Sequence, residues 1–301
     1  TRVPSPAIIA QAFKDVKPAI VIAVPLVIEK IIRKKVFPQI QNTKVKLLMK
    51  MPGVGKKVKK RICEQVYQAF GGNLYEVIIG GAALNQEIES FLKDIDFPFT
   101  VGYGATECAP IITYSDWHDF VPMSCGREVV HMEVKIDSEN PETVPGEILA
   151  RGLNVMLGYY KNDEATAQTI DKDGWYHTGD LGLMDKGGNV FIKGRSKNML
   201  LGPNGQNIYP EEIEDKLNSM TFAMESVVVQ RDGKLVGLVH PDFDEVQAMG
   251  LSRDDLQSLM EENRVQVNAN LPVYCKIAAI EIHDEEFEKT PKRVIKRYLY
   301  K

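Results

Sequence analysis

The sequence has no apolar run long enough to cross a bilayer. Its longest, residues 19–28, is interrupted by Pro25, whereas a membrane helix needs ~20 such residues. The first residues show no charged lead into an apolar core and cleavage site, and read instead like the middle of a longer chain. Cysteine is sparse: four residues, at 63, 108, 125 and 275, with no CxxC pair. That excludes a disulfide scaffold and a zinc ribbon, and free thiols fit a reducing cytoplasm. Charge of one sign is lacking too. The 37 basic and 41 acidic residues leave a net charge of −4, so nothing demands a nucleic acid or an anionic membrane as partner. There is no internal repeat and no low-complexity segment. With 44% hydrophobic and 26% charged residues, the chain is globular rather than disordered.

What is present suffices for about two domains of ~150 residues. Residues 8–16 and 25–35 read as helices, the second with Pro25 in its first turn. Val54, Val58, Ile62 and Val66 repeat every fourth residue and mark one face of a long helix. Lys56, Lys57, Lys59, Lys60 and Arg61 crowd its first half, either as a solvated face or as a contact for an anion or lipid headgroup. Strand-like residues 75–79 end in Gly80-Gly81-Ala82-Ala83-Leu84, residues 84–94 look helical, and strand-like residues 99–102 end in Tyr103-Gly104-Ala105-Thr106-Glu107. Strand, turn, helix, strand, turn is the order of a parallel α/β sheet, in which ligands sit at the C-terminal strand ends. Residues 129–192 have short strands between turn signals, the pattern of a small antiparallel unit or distorted barrel. From 198 onward the chain reads as α+β. It has a helix at 210–220, strands at 225–231 and 235–240 around Asp232-Gly233, and a helix at 252–270 with Ser252 as N-cap.

Each glycine turn has a structural and a chemical reading. Gly80-Gly81-Ala82 is a tight strand–helix turn, or bare backbone for a flat ligand. Tyr103 through Glu107 is a polar loop, or an aromatic face, a hydroxyl and a carboxylate able to stack a base, hold a phosphate oxygen and ligate Mg²⁺. Asp180, after Thr178-Gly179, is a turn residue or an acceptor for ribose hydroxyls. Lys193-Gly194-Arg195-Ser196-Lys197-Asn198 reads as a linker carrying charge toward a site. His177 alone is weak evidence for a general base.

The order of these turns, followed by Tyr209-Pro210-Glu211-Glu212-Ile213-Glu214, closely resembles the adenylate-forming superfamily of acyl-CoA synthetases, luciferases and peptide-synthetase adenylation domains. The resemblance spans about residues 15–300. Val24-Pro25-Leu26-Val27-Ile28-Glu29-Lys30-Ile31, and Glu288-Lys289-Thr290-Pro291 with Lys296-Arg297, look like the long-chain fatty acid–CoA ligase branch. The resemblance implies activation of a fatty acid with ATP and Mg²⁺, then transfer to CoA. It also implies a cytoplasmic setting, with peripheral membrane contact left open. Gly81 and Ala82 would face adenine, Tyr103 would stack on it, Thr106 would hold a phosphate oxygen and Glu107 would bind Mg²⁺. Asp180 and Arg195 would hold the ribose, and Lys197 would be the hinge between domains 1–197 and 198–301. The implied fold is α/β plus α+β: the remainder of a large domain with a small distorted barrel, then a small swivelling domain. An aryl- or amino-acid-adenylating enzyme, or a non-catalytic nucleotide-binding module, is the alternative.

Two departures stand out. The family's hydroxyl-rich phosphate loop has no counterpart in residues 1–79, since Gly53-Val54-Gly55-Lys56 lacks hydroxyls and reads as a helix start. The loop is therefore expected upstream of Thr1, in a longer enzyme whose C-terminal part this is, and the isolated chain is expected to be inactive. At the other end, the family's Lys-Thr-x-x-Gly-Lys-x-x-Arg pattern puts Val294 in the adenylation lysine's place and Arg293 in the glycine's. In a strand-like tail residues 292, 294 and 296 share a face, which selects Lys296 for that role, with Lys292 second.

Overall fold

A computed structural model describes residues 6–40, 47–49, 51, 53–203, 205–290 and 294–300. The chain divides into two compact units, residues 1–178 with 183–192, and residues 179–182 with 193–301.

The first unit is organised by a parallel sheet in which β1 (Ile20–Ala23), β2 (Glu76–Ile79) and β3 (Phe99–Val101) lie in that order. Parallel strands need long crossovers. Helices α2 (Pro25–Ile31) and α3 (Val54–Ala69) occupy the first, and α4 (Gln86–Asp94) the second. Helix α1 (Pro6–Val16) precedes β1. The register aligns Val21 with Val77 and Phe99, and Ala23 with Ile79 and Val101. That face joins Ile28, Ile62, Val66, Ile88 and Leu92 in one core, and each fully buried side chain of this kind contributes ~1.5–3 kcal/mol. The other face of β1 is open, with Ile22 80% exposed. Gly53, at φ +76, starts α3 as expected. Val54 is exposed, so the buried stripe runs through Gly55, Ile62 and Val66. Lys56, Lys57, Lys60 and Arg61 are exposed, and Lys59 pairs with Asp94. The helix expected over 25–35 does not stay regular. It widens to a five-residue π-turn at Ile32–Val36 before Pro38, whose ring and missing N–H disfavour regular helix on its N-terminal side.

A three-stranded sheet of β4 (Tyr103–Gly104), β5 (Ile111–Tyr114) and β6 (Arg127–Glu128) follows. Then come β7 (Met132–Asp137), β8 (Gly146–Gly152), β9 (Tyr176–Met184) and β10 (Val190–Arg195), with α5 (Asp163–Thr169) between β8 and β9. The distorted barrel expected here is an open sheet of order β10-β9-β8-β7, and no closed barrel forms among the described residues.

In the second unit a small hairpin of β11 (Leu200–Leu201) and β12 (Asn207–Ile208) leads to α6 (Pro210–Asn218). Strands β13 (Ala223–Arg231) and β14 (Lys234–Pro241) pair through the expected two-residue turn. Asp232 and Gly233 both have positive φ, 49° and 73°, as the favoured hairpin turn requires. After α7 (Phe243–Ala248), helix α8 (Arg253–Ala269) opens on Ser252, whose side chain and that of Asp255 form a reciprocal capping box. Strand β15 (Ile277–Ile282) adds to β14 in parallel. Helices α6 and α8 cover this sheet through Ile213, Leu217, Leu256, Met260 and Val267.

Candidate functional site

Two turns of the first unit lie at the C-terminal ends of neighbouring parallel strands, where α/β sheets hold ligands. After β2, the Gly80 N–H donates to the Ala23 carbonyl at 3.1 Å. Gly81 has φ +86 and its space is nearly open, so glycine is needed there for conformation rather than for room. Gly81, Ala82 and Ala83 are exposed, and Asn85 caps α4 through the N–H groups of Glu87 and Ile88.

After β3 the chain runs through β4 into a short helical turn at Thr106–Cys108. Gly104 is pressed against this turn's return path: a Cβ there would sit 2.1 Å from the Pro110 carbonyl oxygen. Thr106 is exposed and Glu107 half-buried. Tyr103 belongs to the core and is only 8% exposed, so it has little ring face to offer a base.

The Glu107 turn is held by a distant segment that sequence reasoning missed. The Met156 N–H donates to the Glu107 carbonyl at 2.7 Å. Asn154 Nδ2 donates to the carbonyls of Cys108 and Ile111, at 2.6 and 2.9 Å. Tyr159 Oη donates to Glu107 Oε1 at 2.9 Å. Nothing local marks Tyr159, in Gly158-Tyr159-Tyr160, as the partner of a carboxylate 52 positions earlier.

The remaining predicted residues lie in the second unit. Gly179 takes φ +70, and Asp180 Oδ1 accepts from Arg195 Nε at 2.7 Å. The two residues expected to hold a ribose are thus in contact. Ser196 Oγ donates to the Gly179 carbonyl at 3.1 Å. Gly194 lies so close to Glu211 that a Cβ would meet its Oε2 at 2.6 Å. Lys197 is exposed in the short turn Ser196–Asn198.

The C-terminal tail is not the strand from which a common face was expected. Residues 291–293, and with them Lys292 and Arg293, lie outside the described residues. Around them Lys289 and Ile295 form a single bridge, and Arg297–Leu299 is a short helical turn. Val294 is exposed. The Lys296 ammonium pairs with Glu288. Arg297 instead pairs with Glu214, whose other oxygen accepts the Val228 N–H at 2.6 Å. Burial pushes the Glu214 carboxyl up, against the pull of Arg297.

A cysteine nucleophile is disfavoured. Burial pushes the Cys108 and Cys275 thiols up to about 11 and that of Cys125 to about 12, far from the thiolate state that attacks. Among the described residues no group of three or more His, Cys, Asp or Glu is arranged to hold a metal ion. Mg²⁺ keeps several waters and takes one or two carboxylates plus substrate phosphates. Glu107 is a donor of that kind. No helix among the described residues is long and apolar enough to cross a membrane.

The model of the AMP-binding enzyme family matches residues 1–160, more than half of the chain. The chain belongs to the AMP-binding enzyme family. Among the relatives of this family member is the long-chain-fatty-acid–CoA ligase ACSBG2 of Rattus norvegicus. It is 30% identical over 246 residues, covering 74% of this chain and 36% of that protein. Another is 4-coumarate–CoA ligase 1 of Glycine max, 38% identical over 177 residues, 54% of this chain and 60% of that protein. The fold matches O-succinylbenzoate CoA synthetase from Bacillus subtilis, solved with ATP and magnesium ion. The TM-score is 0.69 at 19% identity, covering 98% of this chain and 54% of that one. The match thus spans from about a third to three fifths of these proteins' lengths.

Proposed function

We propose that this chain carries the adenine, metal and ribose contacts of an enzyme that activates a carboxylic acid with ATP and passes the acyl group to CoA. In the first half-reaction a carboxylate oxygen attacks the α-phosphorus and pyrophosphate leaves. In the second, the CoA thiol attacks the acyl carbon and AMP leaves. The observation that carries the reading is the Thr106–Cys108 turn, with Glu107 held beside the C-terminal ends of β2 and β3.

Within this reading the exposed backbone of Gly81 and Ala82 receives the adenine, and Tyr103 supports it from the core with the small accessible part of its ring. Thr106 holds a phosphate oxygen. Glu107 holds Mg²⁺, which when bound neutralises charge on the phosphates. Asp180 accepts the ribose hydroxyls and Arg195 orients that carboxylate. Lys197 lies in the second compact unit, near the start of its longer segment at Lys193. In this reading it serves as the hinge between the domains 1–197 and 198–301 expected from the sequence, and hinge motion of this kind gates many catalytic cycles. Lys296 neutralises charge on the reacting carboxylate and α-phosphate. Residues 1–79 hold no hydroxyl-rich phosphate loop, so in this reading the chain alone binds AMP weakly and does not turn over.

The acid is proposed to be a long-chain fatty acid, from the fatty-acid ligases among the relatives. An aryl acid is the second reading, from the higher identity to the 4-coumarate ligase. Carboxylate-dependent pyrophosphate exchange by the full-length chain, across fatty, aryl and amino acids, separates the two. The nucleotide half is tested by calorimetry with AMP. Asp180→Ala removes a charged acceptor and should weaken binding by roughly 1.5–3 kcal/mol. Unchanged AMP affinity would show that Asp180 is only a turn residue.

A further inference from the structure

Glu107 is the carboxylate to which the proposed function assigns the metal, and its geometry shows more than that assignment uses. Its Oε1 accepts the Tyr159 hydroxyl at 2.9 Å. The Tyr159 hydroxyl also has a hydrogen bond with Thr169, so the phenol is fixed from two sides. The backbone around Tyr159 is itself fixed. The Tyr159 N–H donates to Thr166 Oγ1 at 2.9 Å, and Gly158, at φ +151, lies so close that a Cβ would meet the Thr166 methyl at 2.8 Å. Glu107 Oε2 has no hydrogen-bond partner among the described residues.

The geometry points to Tyr159 as a positioning residue that occupies one oxygen of Glu107 and so makes Glu107 a one-oxygen ligand. The inference rests on Glu107 being the metal ligand. Its consequence is selectivity. Mg²⁺ and Mn²⁺ accept single oxygens in a compact octahedron, whereas Ca²⁺ takes six to eight oxygens in a looser shell that can use both oxygens of a carboxylate. A carboxylate with one oxygen held by a phenol suits the smaller ions. Partners that hydrogen-bond a metal's ligands typically change affinity by ~10–100-fold when removed.

The test is a titration of Mn²⁺ into the full-length chain with ATP present, read by electron paramagnetic resonance, with Ca²⁺ as competitor. Tyr159→Phe should weaken Mn²⁺ binding about tenfold and narrow the preference for Mn²⁺ over Ca²⁺. Metal-free AMP affinity and the melting temperature should stay unchanged, because the Met156 N–H still holds the turn. Unaltered Mn²⁺ affinity in Tyr159→Phe, with Glu107→Gln strongly weakened, overturns the role of Tyr159 alone. Unaltered affinity in Glu107→Gln, or no Mn²⁺ binding by the parent chain, removes the metal from Glu107 and this inference with it. Equal losses of Mn²⁺ and metal-free AMP affinity in Tyr159→Phe would make the hydroxyl a merely structural group and also overturn it.

Discussion

Arg297 puts its guanidinium against the buried carboxylate of Glu214, whereas Lys296, one residue earlier, ends on the exposed Glu288. Glu214 is 6% exposed, so its charge is sustained by Arg297 and by the Val228 N–H. Arg297 also approaches Glu211 at 3.9 Å. The Glu288–Lys296 pair stands in solvent, where such pairs contribute little. Burial thus separates two adjacent cations by role. The first pins the tail to α6 and β13, and the second is left on a solvent-side contact, which under the proposed function it would exchange for a substrate. A lysine that must reach a reacting phosphate needs both a fixed stem and a releasable head.

The largest expected effect tests the buried side of that contrast. Arg297→Met leaves the Glu214 charge without its partner, and breaking a buried pair in this way costs about 3–5 kcal/mol. Urea denaturation should show that loss. Adding Glu214→Gln should restore a large part of it, because glutamine keeps an acceptor for the Val228 N–H without the charge. A loss under about 1 kcal/mol for Arg297→Met would mean that this pair behaves as a surface pair and that the contrast with Lys296 is void.

The same contrast shows what could be read from sequence. Features set by neighbouring residues were legible: the Asp232-Gly233 turn, the Ser252 cap, the Pro210 helix start, and both glycine turns at strand ends. Features set by distant partners were not. Glu214 sits within the family pattern, but nothing in its surroundings announces a guanidinium 83 residues away. Tyr159 is hidden for the same reason, its partner Glu107 lying 52 residues away. Strand β1 was obscured because its run of apolar residues continues into Pro25 and α2, and periodicity cannot divide such a run. The tail was read from alternation alone, but three of its described residues form a short helical turn. The roles proposed for Gly81, Thr106, Asp180 and Arg195 come from the family pattern.

A half-exposed cation in the first unit should give an intermediate effect. His177 Nδ1 lies 2.9 Å from Glu147 Oε2, and Nε2 lies 3.6 Å from Asp171 Oδ2. The wider cluster includes Asp173 on the same turn, and Trp175 with Lys135 and Arg151 over its ring, Arg151 being paired in turn with Glu133. The hydrogen bond to Glu147 raises His177 above its ordinary 6.5. A group raised on folding contributes stability that is fully present below its unfolded value and is lost as pH rises through its folded value. Stability from this cluster should therefore be complete below pH 6.5 and decline above it. His177→Gln should lower stability by less than ~1 kcal/mol and flatten the melting temperature's dependence on pH between about 6 and 8. A parent chain whose stability rises across that window would show that the cluster does not hold a protonated His177.

The smallest effect on stability is expected at Lys296, and there the contrast is sharpest. The Glu288 carboxylate raises the Lys296 ammonium above its ordinary range, so the side chain carries its charge throughout the neutral range. Lys296→Ala removes only a solvent-side contact, because the adjoining backbone stays fixed. The Lys296 N–H donates to the Glu288 carbonyl at 2.8 Å, and Arg297 keeps its hold on Glu214. The melting temperature of the variant should match the parent's. In the full-length chain, acyl-adenylate formation should fall on the order of 100-fold, the usual loss when one donor to developing charge is removed. Thioester formation from supplied acyl-adenylate should be largely spared, since the carboxylate and α-phosphate are already joined. Glu288→Gln releases the ammonium without deleting it and should leave adenylation intact. Equal loss in both half-reactions for Lys296→Ala, or none in either, would take Lys296 out of the chemistry and leave it a surface partner of Glu288.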